Sequence, residues 1–94
     1  MSIKSFACAE TERLFNDERG TRIPSKIVRR ARRKLLIIDA ATDVNDLRVP
    51  LGNRLERLSG SRSGQYSIRV NDQYRVCFIF RNGDAFQLEI VDYH

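Results

Sequence analysis

Residues 65–91 read QYSIRVNDQYRVCFIFRNGDAFQLEIV, and this stretch decides the fold. Tyr66, Ile68 and Val70 alternate with Ser67 and Arg69, the period-two pattern of a strand with one face in a core. Asn71–Gln73 is a turn. Tyr74–Phe80 is apolar on both faces, which predicts a central strand. Asn82-Gly83 is the strongest hairpin signal in the chain. The last predicted strand is Ala85–Val91, with Phe86, Leu88 and Ile90 on one face and Gln87 and Glu89 on the other. Strands joined in this way make an antiparallel meander.

Upstream of the meander, SGSRSG at 59–64 is a loop, and the alternation RLERL at 54–58 predicts one more strand. Residues 42–52 (TDVNDLRVPLG) are dense in turn formers and read as a connector. Before the connector the period changes. Pro24 opens a helix in which Ile27, Ala31, Leu35 and Ile38 draw one apolar stripe, widened by Val28 and Ala41. Its predicted end is near Ala41–Thr42. A first helix over Ala9–Asn16 carries Glu10 and Glu12 at its start, where acids suit the helix dipole. Ile3–Phe6 reads as a short strand, and Asp17–Arg22 as a charged, mobile loop. The predicted class is α+β: two helices on one face of a mostly antiparallel sheet of three to four strands, with the other face open. A chain of 94 residues has room for one such domain, spanning 1–94.

The chain carries 17 Lys and Arg against 12 Asp and Glu, a net charge of +5. Fourteen of those cations are arginines, whose planar forks grip phosphates in pairs. The excess is uneven: residues 1–35 hold ten cations and four anions, and residues 36–94 hold seven and eight. Lys26, Arg29, Arg30, Arg32, Arg33 and Lys34 crowd the long helix. They form either the solvated back of an amphipathic helix or an electrostatic footprint for nucleic acid. At 41% hydrophobic, the composition suits a folded soluble domain. The longest apolar runs, Leu35–Ile38 and Val76–Phe80, are far too short to span a membrane. The N-terminal residues lack the pattern of a secretory signal, so a cytoplasmic protein is expected. Cys8 and Cys77, with one histidine, are too few for a zinc site, and no cofactor is implied.

Three groups of residues could carry chemistry. His94 is the only histidine and follows Asp92 and Tyr93; it is either a frayed tail or a proton-transfer group beside a tyrosine. Arg69 and Arg75 flank one tight turn and make a phosphate-sized cationic patch, unless they are ordinary solvated residues of an open sheet face. Glu56 is either a general base or an ion-pair partner of Arg57 or Arg75.

The string NRLERLSGSRSGQYSIRVNDQYRVCFIF, the IKSF start and the ending EIVDYH together resemble the HigB branch, GraT-like members above all, of the RelE/ParE toxin superfamily of bacterial toxin–antitoxin systems. The resemblance covers nearly the whole chain. It implies a ribosome-dependent endoribonuclease that cuts mRNA in the decoding site without a metal, through attack of a 2′-OH on the adjacent phosphate. On that resemblance Asp92, Tyr93 and His94 match the terminal DYH, with Tyr93 and His94 as proton-transfer residues. Arg75 would stabilise the phosphate, and Arg69 would be a second cation. The basic helix would dock on ribosomal RNA. The implied partner is a HigA-type helix-turn-helix antitoxin, through which alone the toxin meets operator DNA. Many members carry a histidine at Glu56, a lysine at Ser59 and an arginine at Asn71, and this chain replaces all three. The alternatives are a same-fold toxin with a target such as gyrase, a non-catalytic ribosome- or RNA-binding module, and an inactive member.

Overall fold

The computed structural model describes residues 1–17 and 22–92. Helix α1 is Ala9–Phe15 and α2 is Ser25–Ala40. Two 3-10 turns follow, Val44–Arg48 and Leu51–Asn53, within the predicted connector. The strands are β1 (Glu56–Arg57), β2 (Gln65–Arg69), β3 (Tyr74–Arg81) and β4 (Asp84–Asp92), in one antiparallel sheet of order β1-β2-β3-β4. The α+β architecture expected from the sequence is the one observed, except that the face away from the helices is not simply open: Ser67, Cys77 and Arg75 on it are buried. Of the expected mobile loop 17–22, residues 18–21 lie outside the described residues.

The core forms where α2 lays its stripe on the sheet. Ile27, Ala31, Leu35 and Ile38 are buried against a cluster that includes Ile68, Val70, Val76, Phe78 and Leu88. Truncating such a residue costs about 2–5 kcal/mol. Opposed residues in the register share a face, so Ile68 with Val76 and Ile90 point to the helices. Glu56 with Ser67 and Cys77, and Arg69 with Arg75, point away.

Two expectations for the meander and the strand before it change. The predicted strand 54–58 pairs only at Glu56–Arg57, because Arg54 takes a left-handed backbone (φ 45°) at the end of the second 3-10 turn. In β4, Phe86 does not share a face with Leu88 and Ile90. Cys77 pairs with Glu89 but Ile79 with Phe86, so β4 holds one extra residue. Gln87, with φ 53°, absorbs it as a bulge. Ala85 therefore takes the core position ahead of Leu88, and Phe86 turns to the opposite face.

The same bulge explains the N-terminal segment. Residues 2–7 run parallel along β4, and Ile3 and Phe6 make isolated bridges to Ala85 and Leu88 rather than a continuous strand. Those two partners flank the bulge, where Gln87 N–H donates instead to Ser5 Oγ at 2.9 Å. This segment covers the edge that β4 would otherwise expose.

Candidate active site

At the end of the sheet where β2 turns into β3, a concavity of about 520 Å³ is lined by Gly52, Arg54, Glu56, Arg69, Asn71, Asp72 and Arg75. Three elements build it. The second 3-10 turn and its capping residue supply Gly52 and Arg54, β1 supplies Glu56, and the β2–β3 hairpin supplies the rest.

Arg75 is the fixed point. It is 8% exposed, on the sheet face away from the helices. Its Nε donates to Ser67 Oγ at 2.8 Å, Nη2 donates to the carbonyls of Arg54 and Ser67, and Nη1 lies 3.9 Å from Glu56 Oε1. A guanidinium held on several sides keeps its position as charge develops beside it, which is the condition for electrostatic catalysis. Of the two ion-pair partners considered for Glu56, the structure gives Arg75. The Glu56 side chain is half-exposed and can meet a ligand.

Arg69 pairs with the fully exposed Asp72 and borders the same concavity. Asn71 shapes the turn: its Oδ1 accepts from the backbone N–H of Gln73 at 2.9 Å and of Tyr74 at 2.7 Å. Arg54 is the lining cation that the sequence pattern did not single out. Reading it as an ordinary strand residue concealed it. The Gly52-Asn53 pair just before it was the available signal that the chain was still turning.

A second concavity, of about 210 Å³, adjoins the first and is lined by Arg30, Arg33, Lys34, Gly52, Arg69 and Val70. Gly52 and Arg69 border both. Buried Asn53 ties the two together. Its Oδ1 accepts from Lys34 Nζ, and its Nδ2 donates to the Leu47 carbonyl at 3.2 Å and the Val49 carbonyl at 3.4 Å. Partial burial, followed by the charges of Arg30, Arg33 and Arg69, holds the Lys34 ammonium below the ordinary lysine pKa. Of the remaining helix cations, Lys26 and Arg29 are exposed and Arg32 is half-buried, and none of them lines either concavity.

The structure thus brings Glu56, Arg69 and Arg75 together. It places Asp92 elsewhere, in a depression lined also by Cys8, Thr11 and Tyr74, with Gln73 Nε2 donating to Asp92 Oδ2 at 3.0 Å. Tyr93 and His94 lie outside the described residues. Among the described residues no His, Cys, Asp or Glu side chains gather in a group of three or more that could hold a metal ion. Cys8 and Cys77 are not bonded to each other.

Residues 4–94 match the family model of the HigB-like toxin, described as the RelE-like toxin of the type II toxin–antitoxin system HigB. The chain belongs to the HigB family. Among similar HigB proteins, Toxin HigB-1 of Vibrio cholerae serotype O1 is 48% identical over 75 residues, 79% of each chain. The endoribonuclease HigB of Proteus vulgaris is 37% identical over 92 residues, 98% of this chain and 99% of that one. In fold, this HigB-family chain is like the toxin in the heterotetrameric YoeB–YefM complex of Staphylococcus aureus, with a TM-score of 0.61 at 21% identity over 100% of this chain and 97% of that one. The YoeB/ParE toxin of Agrobacterium tumefaciens gives 0.53 at 17% identity, over 100% and 99%. As a type II toxin, the chain has an antitoxin protein as its partner. No helix among the described residues is long and apolar enough to cross a membrane.

Proposed function

We propose that this HigB-family toxin is a one-domain, cytoplasmic endoribonuclease that cuts mRNA on the ribosome and so arrests translation. The observation that carries the reading is the meeting of Arg54, Arg69 and Arg75 with the Glu56 carboxylate in one concavity. The residue types suit phosphodiester transfer within RNA. A ribose 2′-OH gives its proton to a base and attacks the adjacent phosphorus. The bond to the 5′-oxygen breaks, and that oxygen takes up a proton. The products are a 2′,3′-cyclic phosphate and a 5′-OH end, with no metal required.

Glu56 is the candidate base, Arg75 and Arg69 offset the charge on the phosphorane oxygens, and Tyr93 and His94 move the second proton. A carboxylate at position 56 takes the place of the histidine common in the family, with Arg75 Nη1 3.9 Å from it. The cations of α2 bind RNA phosphates, and those away from the concavities, Lys26, Arg29 and Arg32, dock the toxin on the ribosome. The antitoxin is of the helix-turn-helix HigA type and brings the toxin to operator DNA.

Mapping mRNA 5′ ends after induction tests this. New ends should follow induction of the unaltered protein and disappear with His94→Ala or Tyr93→Phe. Growth arrest without new ends, or undiminished cleavage by both variants, would overturn the reading.

A further inference from the structure

We propose that the concavity of Arg30, Arg33, Lys34, Gly52 and Arg69 is a second phosphate subsite, which holds the RNA strand being cut by a phosphate next to the one in the reaction pocket. This rests on the RNA-cleaving reading above and deepens it.

Four observations carry the inference. The two concavities share Gly52 and Arg69, so they adjoin, and a strand leaving one meets the other next. A side chain at position 52 would point into open space, with nothing within 4 Å of its Cβ. As glycine, the seam is low enough for a phosphodiester to lie across it. The lining of the second concavity contains four cations and no carboxylate. It also contains no aromatic ring on which a base could stack, so it suits backbone rather than base.

The fourth observation is repulsion within the set. Arg30, Arg33 and Arg69 all press on the Lys34 ammonium, which Asn53 keeps in place. Of the four, Arg69 already pairs with Asp72; an entering anion also gives Arg30, Arg33 and Lys34 an opposite neighbour and offsets their mutual repulsion. The six cations of α2 therefore divide. Arg30, Arg33 and Lys34 serve the substrate strand together with Arg69, whereas Lys26, Arg29 and Arg32 lie outside this subsite.

The test is single-turnover cleavage of a short mRNA on ribosomes by the full chain, with neutral methylphosphonates placed one at a time at the phosphates flanking the cleaved bond. One flanking position should slow the unaltered protein about ten-fold, the loss of one charge-assisted hydrogen bond. The double variant Arg30→Gln/Arg33→Gln should be slowed on all-phosphate mRNA and lose little more when that same phosphate is neutralised. Gly52→Val should also be slowed, with unchanged binding to ribosomes that carry no mRNA. Additive losses in the double variant, or weakened binding to mRNA-free ribosomes in proportion to its slower cleavage, would overturn the subsite and assign these cations to ribosomal RNA. No cleavage by the unaltered protein on unmodified mRNA is a different result; it would overturn the nuclease reading, and the subsite with it.

Discussion

Arg75 Nε donates to Ser67 Oγ across the β2–β3 pair at 2.8 Å, and the bond is buried. It sets the plane of the guanidinium, so that the nitrogen facing Glu56 borders the concavity while the other edge is held by backbone carbonyls. A lysine has one nitrogen and cannot make this set of contacts. Arg75→Lys should therefore lower the cleavage rate about 100-fold or more, the scale of losing one preorganised donor. Arg30→Gln, at an exposed position where several cations share the load, should cost less than about ten-fold. Comparable losses in a ribosome-dependent cleavage assay would contradict that ranking.

Ser67→Ala tests positioning. The hydroxyl is buried and touches Arg75, so its removal leaves Arg75 Nε without that acceptor. The variant should lose about 1–3 kcal/mol of stability in urea unfolding. Its cleavage rate should fall while its affinity for ribosomes stays unchanged. Ser67→Thr, which restores a hydroxyl, should recover part of the rate. Full activity in Ser67→Ala would show that Arg75 is held adequately without it.

Asn53→Ala removes a buried side chain that accepts from Lys34 and donates to two backbone carbonyls. Destabilisation of about 1–3 kcal/mol is expected, because carbonyls that turn inward lose their donor. Gly52 and Arg54 flank this residue, so cleavage should fall further than the loss of folded protein explains. Paired unfolding and activity measurements separate the two effects.

Lys34 links the site to pH. Its lowered pKa means that the folded protein binds this proton more weakly than the unfolded chain does. The contribution of Lys34 to stability is thus unfavourable at neutral pH, and it is relieved as pH rises from the lowered value to the ordinary lysine value. Affinity for an RNA phosphate should run the other way and weaken over that same alkaline interval as the ammonium discharges. Titrating a short RNA against the protein should show this weakening, and Lys34→Met should flatten it.

The two cysteines should differ in reactivity. Cys77 is fully buried between β2 and β4, and that burial pushes its thiol pKa up. Cys8 is only partly covered. A maleimide should label Cys8 in the native protein and reach Cys77 only after unfolding. Equal labelling rates would contradict the packing of the sheet.

The sequence determined α2 and the three-stranded meander because their signals are local. Apolar residues at helical spacing can bury one face only as a helix, and alternation around Asn82-Gly83 can pair only as a hairpin. It also marked Glu56, Arg69 and Arg75, as well as the cations of the helix. Tertiary structure decided the rest. The extra residue at Gln87 breaks the alternation of β4 and turns Phe86 away from the core, a shift that period-two reasoning cannot register. Arg54 became a site residue through its left-handed backbone, and Arg30, Arg33 and Lys34 parted from the other helix cations where Asn53 anchors the loop against α2. Those arrangements depend on contacts between residues distant in the chain, which periodicity does not encode.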